Sequence, residues 1–130
     1  MRIGIDASRA GFGVRTGTEN YTLHLTRAMM AYIEAAASED VLTLYTGRRL
    51  PPELLGGGAQ VRHIGFPRLW THVRLSLEMG LHRPDVLFVP AHVIPLVHPR
   101  ASVATIHDVG HLYYPEAYPP ATLKYLQWST

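Results

Sequence analysis

Apolar residues fall into two alternating rhythms along the chain. Short, nearly continuous apolar runs occur at Arg2–Ala7, Val41–Thr46, Val61–Ile64, Asp85–Val89 and Ser102–Ile106. Each is strand-length and bounded by Gly, Pro or charged residues, and none shows the strict alternation of a half-solvated strand. Between them the spacing becomes helical. Thr16 with Glu19 three residues on has the form of a capping box. Tyr21, Leu25, Ala28, Met29, Tyr32, Ile33 and Ala36 then follow on one helical face, closed by Ser38-Glu39-Asp40. A second helix is expected from Arg68 to about His82, with Leu69, Trp70, Val73, Leu77 and Leu81 on its apolar face and Pro84 enforcing its end. A last helix is expected from about Pro120. Strands separated by helices predict an α/β fold, a parallel sheet with helices on both faces.

The connections carry their own signals. Gly11, Gly13 and Gly17 make the segment after the first strand a loop. Pro51-Pro52 with Gly56-Gly57-Gly58 marks a flexible connection, and Pro95 and Pro99 an extended one. No internal repeat or low-complexity tract interrupts the pattern.

Composition narrows the function classes. The chain has 130 residues, 47% of them apolar, which suits one packed domain. It has no cysteine, so disulfides, thiolate metal sites and cysteine nucleophiles are excluded together. Twelve basic residues face ten acidic ones, and only Lys124 among the basic set is not Arg. The arginines are scattered rather than gathered on a face or tail, which argues against nucleic acid as a partner. No run approaches the roughly 20 apolar residues of a membrane span, and nothing has the form of an export signal. The expected compartment is the cytoplasm, with peripheral contact at the inner face of a membrane as its variant.

Two segments could carry chemistry. In a doubly wound sheet the glycine loop after the first strand lies at the carboxyl edge, where the next helix aims its N-terminus. Free N–H groups there suit a phosphate, and Gly17 would permit close approach. The alternative is a plain flexible connection. The dinucleotide fingerprint fails, because Gly11-x-Gly13 is followed by Thr16 rather than Gly, and no carboxylate follows the second strand, which ends in Gly47-Arg48-Arg49. A P-loop fails for want of a nearby Lys. The second segment is His107-Asp108, which follows a buried strand directly. An imidazole there can bond a sugar hydroxyl or phosphate oxygen, with the carboxylate fixing its tautomer. The alternative is an Asp capping a turn beside an exposed His. His107, Asp108 and His111, with His92 and His98, also admit a metal reading, but the spacing matches no strong zinc pattern and no metal is expected. Arg15, Arg68 and Arg74 could each meet an anion, although each taken singly is the kind of Arg found solvated or structural.

Taken in order, the motifs resemble a known family. The start Met1-Arg2-Ile3-Gly4-Ile5-Asp6-Ala7 is followed by Arg15-Thr16-Gly17-Thr18-Glu19-Asn20-Tyr21, Leu69-Trp70, Arg74-Leu75 and Arg83-Pro84-Asp85-Val86-Leu87-Phe88. Thr105-Ile106-His107-Asp108-Val109, Tyr114-Pro115-Glu116 and Pro119-Pro120 complete the set. Their order and spacing resemble the amino-terminal half of glycosyltransferase family 4, mannosyltransferase-type members with the GT-B fold of two facing Rossmann-like domains. The resemblance spans essentially the whole chain. It implies a retaining transferase that moves a sugar from a nucleotide-diphosphate-sugar to a glycan or lipid-linked acceptor, with no further cofactor. It implies that His107 is catalytic, beside the transferred sugar, and that Gly17, Thr18, Arg15, Asp108 and His92 contact substrate or donor. Asn20 departs from it, since many relatives carry Arg before the Tyr, and an anion contact is lost there. Residues 1–130 then form the acceptor-side domain, expected to be inactive without a carboxyl-terminal donor-binding domain. Surface left bare by that partner predicts that Leu123, Leu126 and Trp128 pack on a second copy, a homodimer, or lie partly exposed. The competing class is a stand-alone Rossmann-like binding or regulatory module, distinguished by whether the reading frame continues past Thr130 into a second α/β domain.

Overall fold

The computed structural model describes residues 1–11, 16–65 and 70–129. It is an α/β fold with a five-stranded, all-parallel sheet in the order β3-β2-β1-β4-β5, consistent with a Rossmann-like domain. The strands are β1 (Arg2–Asp6), β2 (Val41–Thr46), β3 (Gln60–His63), β4 (Val86–Val89) and β5 (Ala101–Ala104). The helices are α1 (Gly17–Ala35), α2 (Ser76–Leu81), α3 (Gly110–Tyr113) and α4 (Pro120–Ser129). A π-helical turn, Trp70–Leu75, leads into α2. Every strand was expected where it lies, to within a residue or two at its ends.

Two apolar clusters, one on each face, hold the sheet. Ile5, Leu42 and Leu44 pack with Leu23 and Met30 of α1 and with Leu50 and Leu54 of the following connection. Tyr45, Leu87 and Val89 pack with Leu75 and Met79 on the other face. The alternation of Leu44 against Tyr45 follows from the two-residue period of a strand. Gly4 lies beneath Tyr45. A Cβ there would sit 2.8 Å from Tyr45 Cε2 and 3.0 Å from Pro84 Cγ, so only glycine fits without displacement.

The inward faces of both main helices differ from the expected ones. In α1 the buried residues are Thr22, Leu23, Thr26 and Met30, with Leu25, Met29 and Ile33 half-buried. Tyr32, expected inside, is 75% exposed. Threonines read as polar in a sequence, yet Thr22 supplies its own partner by donating to the Thr18 carbonyl at 2.8 Å, and its small side chain allows close packing. The inversion is sharper in α2. Leu75, Ser76, Glu78 and Met79 are buried, whereas Val73, Leu77 and Leu81 are exposed. The π turn adds a residue to one helical turn, and one extra residue rotates the faces of the succeeding turns by about 100°. Leu69 lies outside the described residues. Glu78 is tolerated inside because Arg62 Nε lies 2.8 Å and His82 Nδ1 3.1 Å from its Oε1.

Among the described residues no helix is long and apolar enough to cross a membrane. On α4 Leu123 and Leu126 are half-buried within the chain and Trp128 is exposed.

Candidate functional site at the carboxyl edge

The carboxyl ends of β1, β4 and β5 open onto one corner. β1 ends in buried Asp6, whose Oδ1 accepts the Ser8 N–H at 3.0 Å and turns the chain into a short 3-10 segment, Ser8–Ala10. Arg9 on that segment reaches Glu19 Oε1 at 3.5 Å. Glu19 also takes the Thr16 backbone N–H at 3.0 Å and the Thr16 hydroxyl, as the capping pattern anticipates. The Thr16 bonds, with Arg9 adding less, hold the Glu19 carboxyl below its ordinary value. The first turn of α1 is thereby fixed beside the end of β1.

Gly17 opens α1 with no positive φ, and a Cβ there would meet nothing within 4 Å among the described residues. Among the described residues, neither backbone conformation nor packing requires a glycine at this point. Thr18 follows half-buried, and its carbonyl is occupied by Thr22. Arg15 and Arg68 lie outside the described residues. Arg74 is half-buried beside Glu78, with Nη1 4.0 Å from Oε2, so it belongs to the α2 ion pairs rather than to this corner.

His107 stands just past β5, exposed, with Nε2 3.0 Å from the Pro90 carbonyl oxygen. A carbonyl can only accept, so Nε2 carries the proton and Nδ1 is the ring's remaining lone pair. The ring meets Tyr21 of α1 edge-on, with centroids 4.9 Å apart and planes at 85°. Tyr21 Oη lies 3.2 Å from Thr105 Oγ1. The structure thus brings the opening turn of α1 and the His107 segment together at one end of the sheet.

Asp108 does not set the tautomer of His107. Its oxygens accept from the Gly110 N–H at 2.6 Å and from Tyr118 Oη at 2.9 Å. These bonds hold its carboxyl below the ordinary value and push the Tyr118 phenol up. Asp108 closes the turn into α3, and the Pro90 carbonyl does the orienting that the sequence assigns to the carboxylate. A Cβ at Gly110 would fall 2.8 Å from Tyr118 Oη and 2.9 Å from Asp108 Oδ1, so a larger residue would push these two side chains aside.

Two further imidazoles complete the corner. His111 on α3 is 3% exposed, its ring perpendicular to Tyr118 at 6.4 Å. His92 is half-buried after β4, with Tyr125 of α4 6.5 Å away. Burial first, then the electrostatic influence of Arg9, His107 and His111, holds His92 below its ordinary value. Among the described residues no three His, Asp or Glu side chains are placed to hold a metal ion. The corner offers instead one guanidinium and three imidazoles, a setting for a hydroxylated or anionic ligand.

Sequence reasoning missed Arg9, Tyr21, Tyr118 and Tyr125 as neighbours of this corner. For Tyr21 a signal exists: it falls in the first turn after the capping box, and in a parallel sheet that turn lies at the carboxyl edge. No protein-family model matches the chain, and neither a curated protein nor a solved structure does.

Proposed function

We propose that this chain is the acceptor-side domain of a retaining GT-B glycosyltransferase that moves a sugar from a nucleotide-diphosphate-sugar to a glycan or lipid-linked acceptor. The observation that carries the reading is the meeting of His107 with Tyr21. Two segments that carry the family resemblance, residues 16–21 and 105–109, converge at one corner through these side chains. A glycine at position 17 that neither fold nor packing demands supports it as a point of close ligand approach. A second, donor-binding domain would face this corner and complete the cleft. A lipid-linked acceptor would bring the domain to the inner face of a membrane.

In this reading His107 accepts a hydrogen bond from a hydroxyl of the transferred sugar at Nδ1. As the diphosphate departs, positive charge develops on the sugar ring and the hydroxyl becomes a better donor. The bond strengthens toward the transition state, and only such differential contacts raise the rate. Removing one preorganised contact of this kind costs about 3 kcal/mol of barrier, roughly 10²-fold in rate.

The test is His107→Ala in the two-domain protein, with sugar transfer from a panel of nucleotide-diphosphate-sugars and melting temperature measured together. The expected result is a loss of turnover of roughly 10²-fold with stability changed by less than about 1 kcal/mol. Near-normal turnover would overturn the role of His107. Absence of transfer by the unaltered protein across the panel would overturn the reading as a whole.

A further inference from the structure

The opposite end of the sheet carries a charge arrangement that the proposed transfer does not use. Ile3 pairs with Val86, and Val86 with Ala101. The residues just before them, Arg2, Asp85 and Arg100, therefore stand in one row across the amino ends of β1, β4 and β5. Arg83 lies two residues upstream of Asp85, and these side chains with Pro84 and Pro99 line an open cavity of about 630 Å³.

Asp85 is the one carboxylate on this wall among the described residues, and it is already engaged. Its Oδ2 accepts the Arg2 backbone N–H at 2.7 Å and its Oδ1 accepts Arg2 Nη2 at 2.9 Å. Arg83 and Arg100 are exposed, and neither has a partner among the described residues. Three guanidiniums thus share this wall with a single carboxylate, and two positive charges on it are left uncompensated. Pro84 follows one free arginine and Pro99 precedes the other, which restricts the backbone next to each.

We propose that this cavity binds a compact phosphate compound carrying at least two negative charges, held by Arg83 and Arg100. Guanidinium forks match phosphate oxygens two at a time, which a lone ammonium cannot do. The free arginines form a point cluster rather than a stripe, which suits a compact anion and not a nucleic-acid strand. The site lies at the far end of the sheet from His107 and stands or falls independently of the transferase reading.

A free phosphate compound and a phospholipid headgroup offer the same chemistry, and two experiments separate them. In the first, pyrophosphate is titrated into the 130-residue chain, read by calorimetry and by the arginine Nε–H resonances. Binding is expected to shift the Arg83 and Arg100 signals. It is expected to weaken at least about tenfold in Arg83→Gln/Arg100→Gln, less in Arg83→Lys/Arg100→Lys, and not at all in Arg27→Gln on α1. In the second, sedimentation with vesicles of phosphatidylcholine plus phosphatidylglycerol is compared with phosphatidylcholine alone. Binding to the anionic vesicles that the double Gln variant loses assigns the phosphate to a headgroup; pyrophosphate binding without vesicle binding assigns it to a free compound. Circular dichroism melts of each variant verify the fold. Failure in both experiments, or binding at undiminished strength by the double Gln variant, would overturn the proposal.

Discussion

Burial reaches one histidine of the carboxyl-edge corner far enough to matter for stability. His92 holds its proton less readily in the folded chain than at the ordinary value of 6.5, because burial first, and then the electrostatic influence of Arg9, His107 and His111, opposes protonation. Just below that value the unfolded chain binds more protons than the folded one. The stabilising contribution is therefore present above pH 6.5 and is lost as pH falls through the folded value. Urea midpoints measured at about pH 7.5 and pH 5.5 are expected to drop more for the unaltered chain than for His92→Gln. An equal drop would assign the acid sensitivity to other groups. At this scale the sequence was partly legible. His107 could be placed at the mouth of the sheet because a strand-length apolar run precedes it directly, although that strand, β5, lies at the sheet edge with its residues exposed or half-buried rather than buried as expected. Asp108 could not be assigned, because a carboxylate beside a histidine and one that caps a turn have the same spelling. The difference lies in Tyr118, ten residues away, whose hydroxyl takes one of the two oxygens.

Among the elements, α1 ends on a backbone conformation that an L-residue adopts reluctantly. Ala37 has φ +45°, with its N–H to the Glu34 carbonyl at 3.1 Å and the Ser38 N–H to Ile33 at 3.2 Å. This is a left-handed helix stop occupied by alanine instead of the customary glycine. Ala37→Gly is expected to stabilise the fold by about 1 kcal/mol, read as a higher urea midpoint at unchanged slope. The ion pairs of α2 make the opposite case. Arg62 on edge strand β3 neutralises Glu78, whose side chain is 4% exposed. Arg62→Ala leaves that carboxylate with His82 and the more distant Arg74, and is expected to cost about 2–3 kcal/mol in urea unfolding, below the figure for a fully buried pair because Arg62 itself is partly solvated. A cost under about 0.5 kcal/mol would class the pair with ordinary surface bridges. Strands and the starts of α1 and α4 were legible because apolar runs, caps and prolines act locally. The inward faces were not. The face of α2 depends on a π turn that no residue spacing announces, and that of α1 on two buried threonines, of which Thr22 satisfies its hydroxyl on the Thr18 carbonyl.

For the molecule as a whole, the parallel sheet followed from strands without polar alternation spaced by helices, and the structure has that sheet. What lies beyond the fold was less accessible, since the corner around His107 is assembled from four separate stretches of chain. The strand order has one more consequence. β1 is the central strand, and one of its two neighbours, β4, is joined to it by contacts such as Arg2 to Asp85, 83 positions apart. On a ribosome adding about 5–20 residues per second, roughly 4–17 s pass between the synthesis of these two partners. Throughout that interval one edge of β1 can pair only with something foreign or with nothing. The nascent chain therefore meets its greatest hazard of misassociation before β4 emerges, and the final pairing is a slow, non-local step of the kind that limits folding rate.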